Sequence, residues 1–452
     1  MDRCQEGPRG KGILILIALL FCSALPGSAG TSGFQEYLVP GQESLLRSHY
    51  VYLDDDPSVG SAMHCVISVT ASTDGTIINY DHWENGFGTP DESYTVNTGQ
   101  YKIFESGNIP ANPRGTATYY DGGDRITIIG GPAFVSRASW PESPGTVMAL
   151  AFEILPIQAL SNAFEMPVGS DLYQNDRSEP FADFERVVLM VQSTRDNNAV
   201  TVYGPDNAVI YSGTLNKGQS AIDSDLRNVR KGTRVTATWP VQIQFLTALE
   251  VSGTSSQING FTGLPTALWG RRYAVPVTSF PARTSSAASR TDLYLYNPNS
   301  QAITVTYRDS TTGSFTIAAK QLASFALKTG HYVPRNYGVD LTGSNTFWGF
   351  GIAGTGYDSW DWGLIFIPKE YCRNQYVVGW APGDLNKTNN YSAVFVMPFS
   401  NSSAIFVDYD QNGTVDNTYT ASRPQVVRIV DPNDRDMTGA RIWSPDTLAM
   451  NY

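Results

Sequence analysis

The chain has 452 residues, with 31 Lys and Arg against 42 Asp and Glu, for a net charge of −11. That length exceeds one small core and fits roughly three to four domains of about 100 residues. An acidic chain without basic patches repels nucleic acid and anionic membranes, so nucleic acid is excluded and cations or neutral partners remain.

Forty-one Gly, 26 Pro and 24 Tyr favour strands and turns. No long stretch shows sustained apolar spacing at three and four residues, so an all-β chain is predicted. At the start, Arg3, Arg9 and Lys11 precede an apolar run over residues 13–25 and small residues at 26–29. This is the pattern of a cleaved export signal over residues 1–29. The run is shorter than the roughly 20 apolar residues a span needs, the alternative being an uncleaved anchor. No later stretch is long enough to cross a membrane, so no span is expected after cleavage. Cleavage leaves 28 basic and 40 acidic groups, a charge of −12. Cys4 and Cys22 leave with the signal. Cys65 and Cys372 remain, in different modules, and are expected as two buried thiols rather than a disulfide.

Beyond the signal one pattern returns four times. Tyr37-Leu38-Val39-Pro40-Gly41 has counterparts in Met166-Pro167-Val168-Gly169, Val275-Pro276-Val277 and Ala381-Pro382-Gly383. Proline lacks a ladder donor and closes a strand. Each such joint leads to a strand, a polar turn and a second strand, as in Leu293-Tyr294-Leu295-Tyr296, Asn297-Pro298-Asn299-Ser300 and Ala302-Ile303-Thr304-Val305. A strand around Gln100, Gln219, Gln321 or Gln425 follows, at separations of 119, 102 and 104 residues. A unit near 105 residues suits a β-sandwich of about seven strands. The expected modules are residues 30–156, 157–265, 266–368 and 369–452. Val241, Ile243 and Phe245 alternate with Gln242 and Gln244, which predicts a half-buried strand. Module four reaches Tyr452 inside an expected core strand, so either the chain is a fragment or another segment completes that edge.

Three segments carry a family resemblance: Gly338-Val339-Asp340-Leu341-Thr342-Gly343, the strand pair over residues 232–245, and Leu264-Pro265 through Trp269-Gly270 to Tyr273-Ala274-Val275-Pro276. They resemble the N-terminal type of domain in IgGFc-binding protein and in large bacterial surface proteins. The resemblance implies an extracellular β-rich repeat with an adhesive or binding role. The Cys-rich modules that accompany such domains in mucin-like proteins are missing, and no residue here carries antibody binding over.

The sharpest local motif is Asp408-Tyr409-Asp410-Gln411-Asn412-Gly413-Thr414-Val415-Asp416. Oxygen ligands at positions one, three and five, glycine at six and an acid at nine follow the calcium-loop rule, making Asp408, Asp410, Asn412 and Asp416 candidate Ca2+ ligands. Tyr419 stands where the twelfth-position acid belongs, and Asp431, Asp434 or Asp436 would have to substitute. The competing reading is a plain hairpin turn. In module one, Asp81, Trp83 and Glu84 offer sugar contacts by stacking and hydrogen bonding, against a structural reading in which Trp83 plugs a strand end. Asp358, Trp360 and Trp362 pose the same question on a later loop. Gly349-Phe350-Gly351-Ile352-Ala353-Gly354 matches a dinucleotide fingerprint in letters, but it sits on an expected strand without the helix that chemistry needs. Asn386, Asn390, Asn401 and Asn412 are glycosylation acceptors if the host is eukaryotic.

No catalytic constellation stands out. Three readings stay open: a secreted or cell-surface, non-enzymatic adhesion or matrix protein contacting an extracellular protein or glycan; a carbohydrate-binding or carbohydrate-active protein; and a stalk segment of a longer surface protein.

Overall fold

The computed structural model describes residues 33–54, 62–110, 117–142, 150–172, 181–222, 224–248, 258–279, 290–353, 362–386 and 392–452. Residues 1–29, with the expected signal, and Asp358, Trp360 and Asn390 lie outside this set. The fold is nearly all β and repeats one plan four times.

The plan centres on a long spine strand, seen as Arg234–Ala248, Val339–Ala353 and Arg441–Asn451. Its first half pairs with an entry strand and with the first strand of a hairpin; its second half pairs with an inner strand. In the first three units a return strand also pairs with that second half. Each unit is therefore two sheets sharing one strand that crosses between them. In unit one the spine splits at Gly130-Gly131-Pro132 into Arg125–Ile129 and Ala133–Pro141, giving two separate four-stranded sheets. Pro240 marks the same crossing in unit two, where the pairing register shifts between Thr236 and Val241. Proline belongs there because the strand gives up a ladder bond at the bend. Among the described residues of unit four no return strand pairs with the spine.

One expectation needs correction. Gln242 and Gln244 are fully buried beside Val241, Ile243 and Phe245, so the strand is covered on both faces. The Gln242 amide donates to Leu38 O of unit one at 2.9 Å, because the polar face of unit two meets a neighbouring unit instead of water. The all-β expectation holds, with one 12-residue helix, Glu43–Asp54, packed among the strands. Its buried Leu46, Tyr50 and Leu53 follow helical spacing, a signal short enough to be lost among strands.

The units close on one another. A turn beside the recurring Gln of each unit docks on a neighbouring unit. Lys217 pairs with Glu36, and Lys320 Nζ lies 3.0 Å from Glu165. Gly338 N donates to Pro424 O at 2.9 Å, tying unit three to unit four. Unit four then meets unit one: Thr70 Oγ1 donates to Gly379 O, and Gln411 packs on Gly99. Gly439 lies against Gly99 O with φ of +84°, a spot where any Cβ would strike the carbonyl. Cores run through the joints as well. Val188, Met190, Leu246 and Ala248 of unit two complete the unit-one core, and Phe134 of unit one enters the core of unit four.

Smaller features fall into place. Gly349 lies on the spine with Phe366 and Tyr294 O where its Cβ would be, so the glycines of the apparent dinucleotide match serve close strand packing. Cys65 and Cys372 are free, buried thiols, as expected. Burial pushes the Cys372 thiol up to about 12, which keeps it unreactive.

Candidate functional site

In units one, three and four the tip of the first hairpin lies against a neighbouring unit, so side chains gather there between units. Two tips hold the groups singled out in the sequence.

In unit one the tip joins Thr76–Asp81 to Glu92–Val96. Asp81 is buried and ion-paired to Arg125, and it also accepts from Gly88 N at 3.1 Å. The buried Asp124 carboxylate organises the loop: it accepts from Trp83 N at 2.8 Å, Tyr80 OH at 2.5 Å and Asp121 N at 3.0 Å. His82 Nδ1 lies 2.9 Å from Tyr119 O and 3.5 Å from Asp124 Oδ2. Burial alone would lower the His82 imidazole, but hydrogen bonding and charge from Asp124, with the Tyr119 carbonyl, raise it above its ordinary value. His82, Glu84 and Asp124 bring ligand atoms within 4.8 Å of one another. Yet Asp124 already accepts three donors, which commits its carboxylate to bracing the loop. The donor set favours a braced loop over a metal.

Trp83 is half-buried. Its Nε1 donates to Lys217 O at 3.3 Å, and its ring packs where Cβ atoms on Gly123 and Gly218 would lie. It plugs the joint between units one and two, the structural alternative weighed above. Trp362 begins the return strand of unit three, is buried and stacks on Phe395 at 6.4 Å. It is a core residue, which corrects its reading as a loop contact; the ring it stacks on is over 30 residues away in sequence.

In unit four the tip joins Ser403–Asp408 to Asn417–Ala421. Asp408, Asp410 and Asp416 bring carboxylate oxygens within 4.8 Å of one another. Asp408 accepts from Asn412 N at 3.1 Å and Gly413 N at 3.0 Å, while Asp416 Oδ2 accepts from Tyr409 N at 2.7 Å. Asn412 Oδ1 accepts from Thr414 N at 2.7 Å. These bonds wrap the backbone so that the carboxylates converge. Burial, with repulsion from Asp410 and Asp416, raises the Asp408 carboxyl. Burial also raises Asp431, and Asp434 and Asp416 add to it, so Asp431 lies within electrostatic reach of the cluster. Tyr419 points elsewhere, with its hydroxyl 3.5 Å from Tyr409 OH. An all-oxygen, multiply anionic donor set fits a hard divalent cation such as calcium. Asn386, Asn401 and Asn412 are exposed.

The sequence pointed to these tips but missed the contacts that complete them. Asp124 and Arg125 come from the start of the spine, some 40 residues from the unit-one tip, and Lys217 from another unit.

No helix of the described residues is long and apolar enough to cross a membrane. No family model and no curated protein matches the chain. Among solved structures, the BSP domain of a biofilm-associated protein is 10% identical, with 92% of this chain and 94% of that one covered at a TM-score of 0.16. A Ca2+-stabilised adhesin with which an Antarctic bacterium binds ice is 11% identical, with 92% and 91% covered at 0.11. Likenesses that faint carry no argument about this chain's function.

Proposed function

We propose that the chain is a secreted or cell-surface, non-enzymatic binding head: four duplicated β-sandwich modules, residues 30–156, 157–265, 266–368 and 369–452, closed into a ring and braced by calcium at the fourth tip. One observation carries this reading. Gln411, inside the acidic loop 408–416, packs on Gly99 of unit one, and its amide donates to Gly439 O beside the same contact. An ion held by Asp408, Asp410, Asp416 and the Asn412 carbonyl would therefore fix the joint that closes the ring. Bound there, it would neutralise the carboxylates and hold the tip in one conformation.

A stalk needs units strung along an axis, whereas contacts from unit four back to unit one favour a compact head. The export pattern at residues 1–29, the acidic charge and the resemblance to IgGFc-binding-type domains support an extracellular setting with a protein or glycan partner. In a glycosylating host, Asn386 and Asn401 would carry sugar on the surface of unit four; at Asn412 a glycan and the ion would compete for one side chain.

The test is thermal unfolding of the mature chain in chelator and in millimolar calcium, together with fractionation of its native host. A higher midpoint in calcium, lost in Asp416→Asn, supports the brace, and recovery outside the cytosol supports the setting. Identical melts end the calcium reading; a purely cytosolic protein ends the extracellular one.

A further inference from the structure

The joint between units three and four differs from the other joints. Its hairpin tip, between Ile303–Arg308 and Thr312–Ile317, is three residues long, against ten in unit one and eight in unit four. In unit one the long tip fills its joint with Trp83 and Phe87, which reach Gly218 of unit two. In unit four Gln411 fills the equivalent space against Gly99. The short unit-three tip reaches less far, and a polar pocket of about 400 Å³ opens between it and the 422–425 turn of unit four.

Charge in this pocket runs against that of the whole protein. Arg308 lines it from unit three and Arg423 from unit four. Among the described residues Arg308 has no carboxylate partner; its Nη1 lies 3.5 Å from Asn401 Oδ1. Arg423 Nε lies 3.5 Å from Asp340 Oδ2, but Arg272 Nε faces the same carboxylate at 3.6 Å, so one anion answers two guanidiniums. Asp309 is also in the lining, yet both its oxygens are committed. Oδ1 accepts from Thr311 N at 2.6 Å and Thr311 Oγ1 at 2.9 Å, and Oδ2 lies 2.7 Å from His331 Nε2. Asp309 keeps its charge, but the lining still sets two guanidiniums against that one carboxylate, while the remaining lining offers the Thr312 and Ser310 hydroxyls, the Gln425 amide and the Tyr337 ring.

We propose that this pocket binds an acidic sugar, with Arg308 and Arg423 holding its carboxylate and the hydroxyls, amide and tyrosine ring taking its polyol face. The guanidinium fork matches a carboxylate by paired charge-assisted hydrogen bonds. Hydroxyl and amide groups beside an aromatic ring are the usual complement of a pyranose. The volume lies within the range of small-molecule sites. A singly charged carboxylate suits the pocket better than a phosphate dianion, because the net charge of −11 opposes each added negative charge. The inference deepens the binding-head reading and rests on it, because it names one ligand class for that head.

The experiment is calorimetric titration of the mature chain with a disaccharide carrying one glucuronate ring, its all-glucose counterpart, and sodium acetate. The uronate disaccharide is expected to bind at least tenfold more tightly than either control, and Arg308→Gln to weaken it about tenfold. Arg423→Gln should do the same if the variant retains the wild-type melt. Arg308 is half-buried with one weak polar contact, so its variant keeps the test sound if Arg423→Gln misfolds. Equal affinity for acidic and neutral sugar, acetate binding as well as the uronate, no binding at all, or an unaltered Arg308→Gln would each overturn the proposal. Retained adhesion of the chain to native extracellular material alongside such a result would leave the binding-head reading standing and end the pocket assignment alone.

Discussion

The hairpin tips of units one and four occupy the same place in a duplicated plan and settle their charges in opposite ways. In unit one, Asp81 meets Arg125, and Asp124 meets Tyr80, Trp83 and His82, so these two buried carboxylates have, respectively, a partner of opposite charge and a row of donors. In unit four, Asp408, Asp410 and Asp416 face one another and take their donors from their own backbone. Neutral N–H groups stabilise a carboxylate but leave its charge in place, so the second tip keeps a net negative field. The difference teaches that the shared plan supplies convergence, and the aim of one guanidinium decides what convergence is for: Arg125, opposite Asp81 in the register, pairs with it, whereas Arg441, opposite Asp408, turns to Gln375 and the Trp443 ring and leaves the acidic tip room for an ion.

The sharpest way to break this comparison is to remove the organiser of the first tip. Asp124→Ala leaves Tyr80 OH, Trp83 N and Asp121 N without their acceptor in a buried place. A loss of about 3–5 kcal/mol is expected, the same with or without calcium. Denaturant unfolding in both conditions measures it; a calcium-dependent loss would mean that the first tip also holds an ion. The second effect is the metal itself. Calcium at a hundredfold excess over its dissociation constant would stabilise the chain by about 2.7 kcal/mol, and Asp408→Asn or Asp416→Asn should erase the increment while leaving the chelator melt near wild type. Third, Trp83→Ala opens the joint of units one and two at the cost of a half-buried indole, about 2 kcal/mol. Gln411→Ala, trimming a smaller side chain at the closing joint, should cost less than half as much. Faster hydrogen exchange confined to residues 216–221 in the first variant and to 97–101 in the second would locate each joint.

How much of this was legible beforehand follows from which interactions are local. Strand ends with Pro, the period-two second strands and the 408–416 loop depend on neighbours in sequence, and their letters pointed to them. The ring did not show. Closing it depends on Lys217 finding Glu36 and on Gly439 letting Gly99 approach, pairs separated by more than a module, whose letters look like any surface lysine or turn glycine. The same blindness explains Gln242: a polar residue on a strand reads as facing water until the neighbour that accepts its hydrogen bond is in place. The two tips looked alike as acidic loops because Arg125, which neutralises the first, comes from a strand over 40 residues away.

The smallest effect separates the tips by pH. Burial raises Asp436 to about 6 from its ordinary 3.8, and burial with neighbouring acids also raises Asp408 and Asp431. A carboxyl raised in the folded state contributes stability that is complete below its unfolded value and is lost as pH rises through the folded one. In chelator the fourth tip should therefore weaken between about pH 4 and pH 6. His82, held above its ordinary 6.5 chiefly by Asp124 against the opposing pull of burial, contributes stability that is present below pH 6.5 and fades as pH rises through its higher folded value. The first tip should weaken only above that point. Asp436 and His82 are only half-buried, and solvent screening there holds each of their changes to about 1 kcal/mol or less. Calcium discriminates between them: it requires ionised carboxylates, so its presence should turn the acidic-window slope at the fourth tip upward with pH and leave the His82 window untouched. Hydrogen exchange of peptides covering 79–94 and 405–421, corrected for intrinsic rates and followed from pH 4 to pH 8 with and without the ion, reads both windows in one protein. Slopes that move together in the two peptides would mean that the joints couple the tips too tightly for either to hold its charge alone.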